Sequence, residues 1–288
     1  MSRLLTGKEV AAKLREETIT LVKALAEQSI TPCLGVIRIG EQADDVYYEN
    51  SLKKSCANTG IDCLVNALPE NASQQDAEQA VAAASKNPHI TGILLFSPLP
   101  KHFDEDKIRS VIAKEKDVDC MTLASAADVY SDSKEGFAPC TAAAVMEILK
   151  YYEIPIAGKT AAVVGRSMVV GKPLAMLLLK ENATVTICHS RTPDTPSITK
   201  RADIVVAAIG RARLLGAEYF SENQTIIDVG INADPDREGA ICGDIDFAAV
   251  ETTAGYITPV PGGVGSVTSA ILCRNTALAA KNINAKKN

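Results

Sequence analysis

Short apolar runs recur along this chain, each separated from the next by a longer segment with helical spacing, and this alternation limits the fold more than any other feature. In the first half the runs are "CLGVIRIG", "DCLVNALP" and "ITGILLFSPLP"; helical stretches are predicted from about 7 to 28, through "VYYENSLKKSC", from about 73 to 86 and near "DEDKIRSVIAKE". Strands that alternate with helices build βαβ units around a parallel sheet. After "TAAAVMEILKYYEIPIAGK", which reads as a helix crossing between domains, the pattern restarts with "TAAVVG", "ATVTICHS", "ADIVVAAIG" and "QTIIDVGIN". It closes on a Pro/Gly loop and a last helix, "YITPVPGGVGSVTSAILCRNTALAA". This second half has the rhythm of a doubly wound nucleotide-binding domain. The segment "DVDCMTLASAADVYSDSKEGFAPC" is poorly periodic and reads as a loop-rich connection beside a site.

A chain of 288 residues with 47% hydrophobic content is long enough for two domains with a substantial core. Its net charge is -5 and its basic residues are dispersed, so neither nucleic acid nor an anionic membrane is an expected partner. The amino-terminal helix is interrupted by charges, no run of eighteen apolar residues occurs, and the expected location is cytoplasmic. Eight cysteines without a CxxC pair read as buried free thiols, and three histidines without partners at ligand spacing give no metal site.

The segment "TAAVVGRSMVVGKPLAMLLLK" places Gly165 where a buried strand ends and Gly171 and Pro173 at the start of an apolar helix. Glycine lets the backbone approach a ligand closely, and a helix amino terminus offers free N–H groups to a phosphate. By itself this pattern also fits a tight strand–helix turn of any α/β protein. The next strand ends in His189, Ser190, Arg191 and Thr192 with no acid. An acid there would bind a ribose 2′-hydroxyl, whereas Ser190 and Arg191, with Arg166 nearby, suit a 2′-phosphate, so NADP is favoured over NAD.

The motifs "GRSMVVGKP", "TVTICHSRT", "IIDVGIN", "GDIDF", "YITPVPGGVGSVT", "GILLFSPLP", "KDVDC" and "APCT" together resemble the methylenetetrahydrofolate dehydrogenase/methenyltetrahydrofolate cyclohydrolase family over almost the whole chain. The resemblance implies two α/β domains: a folate-binding catalytic domain at 1–145 and 268–288, and a Rossmann-type NADP-binding domain at 146–267, with a cleft between them. It further implies a homodimer, hydride transfer from 5,10-methylenetetrahydrofolate to NADP, and hydrolysis of the methenyl product to 10-formyltetrahydrofolate. Carried over by position, Gly165, Arg166 and Ser167 hold the cofactor phosphates, Ser190 and Arg191 the 2′-phosphate, and Ile231 touches the cofactor. Tyr48 stacks on the substrate, Asp119 binds the pterin ring, Ser97 lies at the end of the Pro-Leu-Pro strand, and the loop with Pro259, Pro261, Gly262 and Gly263 closes over the folate. Taken alone, Asp119 and the Pro261-Gly262-Gly263 turn read equally as residues that only shape loops.

Two positions depart from the family's pattern at its reactive pair: Leu52 stands in place of a lysine and Phe96 in place of a glutamine. Lys53 is about 100° further round the helix and points away from the face shared by Tyr48 and Leu52. Asp45, Cys120, Ala142, Ala143 and Ser266 also differ from the family's usual residues, while the nucleotide motifs are nearly intact. Positioning alone can largely serve hydride transfer, but hydrolysis needs a group that activates water and moves protons. The expectation is a dehydrogenase with cyclohydrolase activity lost or weak. Two other readings stay open: an NADP-dependent oxidoreductase acting on a different small substrate, and a non-catalytic binder of NADP and pterin.

Overall fold

The computed structural model describes residues 2–133 and 135–286. Along the chain come β1 (Arg3–Leu4), α1 (Gly7–Ala26), β2 (Cys33–Ile39), α2 (Ala43–Thr59), β3 (Asp62–Leu68), α3 (Gln74–Lys86), β4 (Gly92–Leu95), α4 (Glu105–Ser110), α5 (Leu123–Tyr130) and α6 (Cys140–Tyr151). They are followed by β5 (Thr160–Val164), α7 (Gly171–Lys180), β6 (Thr184–Cys188), α8 (Thr195–Thr199), β7 (Ile204–Ala207), β8 (Thr225–Asp228), β9 (Asn232–Ala233), β10 (Ile241–Cys242), α9 (Phe247–Val250), β11 (Tyr256–Ile257) and α10 (Gly265–Ala285).

Two compact units result. One comprises Met1–Ala12 with Thr141–Thr268 and the other Lys13–Cys140 with Ser269–Asn288. Arg3 and Leu4 pair in parallel with Tyr256 and Ile257, so the amino terminus supplies the edge strand of the first unit's sheet. Two residues are too few to show any periodicity. The terminal residues 1, 287 and 288 of the expected ranges lie outside the described residues.

In the first unit six parallel strands run in the order β1-β11-β8-β7-β5-β6. Their buried residues, among them Ala162, Val164, Val205, Ala207, Ile226 and Ile257, form one core with Cys188, Leu215 and Phe220. From β5 the chain visits β6 on one side and then β7 on the other. The ligand crevice of a doubly wound sheet lies at such a reversal, outside the carboxyl ends of the strands.

In the second unit β3-β2-β4 form a parallel sheet. Every residue of β2 is buried, as a central strand covered on both faces requires. Inside it Arg38 pairs through Nε with Glu49 of α2 at 2.7 Å, a buried charge that its partner neutralises. Helix α3 starts at a capping box, Ser73 Oγ accepting the Asp76 N–H while the Asp76 carboxylate accepts the Ser73 N–H. The segment expected to be loop-rich contains α5. Its buried residues are Ser125 and Asp128 whereas Leu123 is 83% exposed, an inversion of the apolar pattern that hides the helix from periodicity.

Candidate active site

In the first unit the turn after β5 is built around two glycines that tolerate no side chain. Gly165 has φ 139°, and a Cβ on it would stand 2.1 Å from the Ala208 carbonyl oxygen at the end of β7. A Cβ on Gly171 would stand 2.2 Å from the Gly165 oxygen. These contacts bring the ends of β5 and β7 together at the reversal point and draw α7 down onto them. Val170 at the start of α7 gives no side-chain cap, but Lys172 N–H already donates to the Ser167 carbonyl oxygen at 3.0 Å and Pro173 has no N–H, so Gly171 supplies the amide of the first turn that can face an anion. Arg166 and Ser167 are exposed beside it, Ser167 Oγ accepting the Val170 N–H at 3.1 Å.

The turn after β6 is fixed from within. Thr192 Oγ1 accepts the His189 N–H at 2.9 Å, and His189 Nδ1 accepts the Arg191 N–H at 3.1 Å. With these groups occupied, the exposed side chains of Ser190 and Arg191 stand at the tip, suited to a phosphate monoester. A cradle only glycine can form, an uncapped helix start and a serine–arginine tip fit a phosphorylated dinucleotide.

A cavity of about 230 Å³ lies in the same unit between residues 228–231 and the loop 259–266. Ile231, 62% exposed, lines it with Pro259, Pro261, Gly262 and Gly263. The loop is held from below, because Gly7 N–H donates to the Gly262 oxygen at 2.8 Å and Leu5 N–H to the Ile257 oxygen at 2.8 Å. Two buried acids shape its floor. Asp228 accepts N–H groups of Gly230, Asp244 and Ile245, and Asp244 accepts those of Ile209, Gly210 and Arg211. Burial pushes the Asp228 carboxyl up to about 6 despite its three backbone donors, with the Asp244 charge adding to the rise. Sequence reading used "IIDVGIN" and "GDIDF" only as markers. The acids in them are what orders the loops.

In the second unit Tyr48, Leu52 and Cys56 follow at one-turn intervals on α2 and so share a face. Leu52 and Cys56 are fully buried, and Phe96 at the end of β4 is 8% exposed. The Tyr48 ring rests against Phe96, with centroids 5.3 Å apart and planes tilted by 44°. Tyr48 is 37% exposed, and desolvation of its phenol, with the charge of Asp119 second, raises its pKa well above the usual range against the effect of Ser269 on α10. Ser269 was not foreseen; it is one polar residue in an otherwise ordinary helix start.

Each residue of "KDVDC" has a distinct job. Lys116 Nζ donates to the Ser85 and Asn87 carbonyl oxygens, both at 2.7 Å, which closes the end of α3. The Asp117 carboxylate accepts the Met121 and Thr122 N–H groups, and Val118 is fully buried. Asp119 Oδ1 accepts the Cys140 N–H at 2.7 Å, and desolvation raises its pKa against the effect of that bond. Cys120 has φ 54°, a left-handed conformation that explains why glycine suits the position. Asn275 Nδ2 donates to the Val118 oxygen at 2.9 Å and to Cys140 Sγ at 3.8 Å, bracing the segment that carries Asp119.

Neither neighbouring lysine joins the Tyr48 face. Lys53 Nζ bonds Glu49 Oε1 at 2.6 Å, on the side that faces Arg38, and Lys54 is exposed. Ser97, also exposed at the strand end, accepts from Arg109 at 3.2 Å. The polar groups at this site are therefore Tyr48, Asp119, Cys140 and Ser269, set against an apolar wall of Leu52 and Phe96.

A doubly wound unit with a phosphate cradle, joined in one chain to an α/β unit that presents a half-buried acid and a tyrosine, defines an NAD(P)-linked oxidoreductase. The profile of the tetrahydrofolate dehydrogenase/cyclohydrolase catalytic domain matches residues 5–119, and that of the same family's NAD(P)-binding domain matches residues 139–284. The chain is 53% identical over 284 residues to the bifunctional protein FolD of Carboxydothermus hydrogenoformans, which covers 99% of both chains. The crystal structure of the bifunctional FolD methylenetetrahydrofolate dehydrogenase/cyclohydrolase of Campylobacter jejuni superposes with a TM-score of 0.95 at 38% identity, over 98% of this chain and 100% of that one. The Trypanosoma brucei methylenetetrahydrofolate dehydrogenase-cyclohydrolase, complexed with NADP and an inhibitor, gives 0.92 at 34% identity over 98% of each chain. The chain belongs to the tetrahydrofolate dehydrogenase/cyclohydrolase family.

No helix among the described residues is long and apolar enough to cross a membrane.

Proposed function

We propose that this protein is an NADP-dependent 5,10-methylenetetrahydrofolate dehydrogenase whose cyclohydrolase activity is lost or weak. The observation that carries the reading is the contrast between its two sites. The dinucleotide cradle keeps both obligatory glycines, whereas the Tyr48 site presents a fully buried leucine and a phenylalanine where the family resemblance puts lysine and glutamine.

Bound NADP supplies the hydride acceptor. The Gly171 amide at the start of α7, with Gly165, Arg166 and Ser167, binds the pyrophosphate, and Ser190 with Arg191 binds the 2′-phosphate. Ile231 and the loop bearing Pro259, Pro261, Gly262 and Gly263 exclude water. Tyr48, backed by Phe96, stacks on the reduced pterin, with Leu52 and Ser97 beside it. Asp119, its carboxyl poised upward in pKa by burial, accepts or shares a proton with the pterin nitrogens and so orients the ring. Alignment of donor carbon and acceptor is what hydride transfer chiefly needs, and these groups supply it. Hydrolysis needs a general acid or base on the attacking water. Neither Leu52 nor Phe96 can be one, and Lys53 is engaged with Glu49.

The same reading takes the protein as a cytoplasmic homodimer, with residues 1–145 and 268–288 serving the folate and 146–267 the cofactor. The apolar wall of Leu52 and Phe96 also suits a less polar substrate, the one alternative with a structural feature in its favour. Mixing the protein with methylenetetrahydrofolate and either NADP or NAD separates the two. Reduction of NADP supports the folate reading, and no reduction of either cofactor sinks it.

A further inference from the structure

In the second unit a closed circuit of contacts runs from α10 to Asp119. Asn275 is 4% exposed, and its Nδ2 donates to the Val118 carbonyl oxygen at 2.9 Å and to Cys140 Sγ at 3.8 Å. The Cys140 thiol donates to the same Val118 oxygen at 3.6 Å, and the Cys140 N–H donates to Asp119 Oδ1 at 2.7 Å. The Val118 oxygen belongs to the peptide that enters Asp119. One amide group therefore holds both the backbone that carries Asp119 and the residue that grips its carboxylate.

The place of that amide is fixed independently by the packing of α10 on β4. A Cβ on Gly92, the first residue of β4, would stand 2.9 Å from Val118 Cγ1 and 3.0 Å from Thr276 Oγ1. Thr91 Oγ1 donates to the Thr276 carbonyl oxygen at 3.4 Å, and Ile93 forms a parallel bridge with Asp117. The strand thus seats residue 276 on one side and residues 117 and 118 on the other, with Asn275 spanning between them.

A buried asparagine ordinarily does no more than satisfy the loop beside it. Asn275 differs in that its two bonds converge on the two residues that set one carboxylate, and Val118 is fully buried, so solvent does not replace the amide when it is removed. We propose that Asn275 is a positioning residue for substrate binding, acting on Asp119 through Val118 and Cys140. The proposal rests on the reading of Asp119 as the group that orients the pterin ring. Asn275 itself touches no substrate. It limits how far the Asp119 carboxylate can swing, and a misplacement of about 1 Å at such a group can cost about a hundredfold in rate.

The test compares two substitutions in the same turn of α10. Asn275→Leu keeps nearly the same volume and removes the donor. Thr276→Val removes the neighbouring hydroxyl, which donates within α10 to the Leu272 oxygen at 2.8 Å. A merely structural role would make the two variants behave alike. Asn275→Leu is expected to raise the KM for methylenetetrahydrofolate about tenfold or more, to leave the KM for NADP within about twofold, and to speed hydrogen exchange at the Cys140 amide. Thr276→Val should leave all three at wild-type values. Asn275→Ser, too short to reach Val118, is expected to reproduce the pattern if the leucine variant does not fold. Equal loss of folate affinity in the Asn275 and Thr276 variants, a KM for NADP that rises in step, or a Cys140 amide as protected as in the wild type would overturn the proposal. A wild type that does not turn over methylenetetrahydrofolate would overturn the folate reading instead, and the Cys140 exchange, which needs no substrate, then decides whether Asn275 positions Asp119.

Discussion

Restoring both polar residues at the Tyr48 site is predicted to restore hydrolysis, and restoring only the lysine is not. A positioned general acid or base contributes about a hundred- to ten-thousand-fold, equivalent to about 3–5 kcal/mol of barrier. Leu52→Lys alone puts an ammonium at a fully buried position with Phe96 still beside Tyr48. Buried lysines commonly titrate about 3 units below their normal value near 10.4. A folded pKa so depressed costs nothing well above pH 10, and the cost grows as pH falls until it levels off below the folded value. The destabilisation is then about 4 kcal/mol at pH 7 and about 0.7 kcal/mol at pH 10. Phe96→Gln supplies a hydrogen-bond partner and opens room for the ammonium, so the double variant should recover much of that stability. The assay is decay of methenyltetrahydrofolate absorbance against a buffer blank for the wild type, each single variant and the pair, with urea unfolding at both pH values. Expected are hydrolysis at the blank rate for the wild type and for Leu52→Lys, and a gain of about a hundredfold or more for the pair. Full activity in Leu52→Lys alone, or a wild type well above the blank, would refute the reasoning.

Three further outcomes follow from other parts of the structure. Arg191→Ala should raise the KM for NADP by about ten- to a hundredfold with kcat little changed, because only binding of the 2′-phosphate is lost; an equal change in the KM for NAD would contradict that role. Cys120→Gly should stabilise the protein by about 1 kcal/mol in thermal or urea unfolding, since glycine relieves the left-handed strain at φ 54°; a lower midpoint would show that the Cys120 side chain matters more than its backbone. Asp228, with a folded pKa of about 6 against roughly 4 in an unfolded chain, holds its proton more tightly when folded. Its contribution is therefore most favourable below pH 4 and falls by about 3 kcal/mol as pH rises through 6; a carboxyl titration of Asp228 by NMR with a midpoint below 4 would exclude this.

Much of the fold was legible because its strands are buried on both faces and read as plain apolar runs, as in β2, β5 and β7. Two elements escaped for physical reasons. Strand β1 contributes two residues whose pairing is entirely long-range, and α5 buries Ser125 and Asp128 while exposing Leu123, so its apolar periodicity points the wrong way. At the cofactor site the glycines were readable by type, and the structure adds the reason: a Cβ at Gly165 or Gly171 would overlap backbone atoms. At the folate site Tyr48, Leu52 and Phe96 were readable by spacing. The supporting groups were not, because Cys140 reaches Asp119, and Asn275 reaches Val118 and Cys140, from distant stretches of chain. Lys53 illustrates the remaining gap: helical geometry turned it from the Tyr48 face, and only the fold revealed Glu49 as its partner.

The central claim, dehydrogenation without hydrolysis, is tested most directly by following reduced NADP and methenyltetrahydrofolate together after the protein is mixed with NADP and methylenetetrahydrofolate. The account predicts that the two rise in step and that the methenyl product then decays no faster than in protein-free buffer. Reduced NADP that accumulates without matching methenyl product, and with 10-formyltetrahydrofolate in its place, would contradict it.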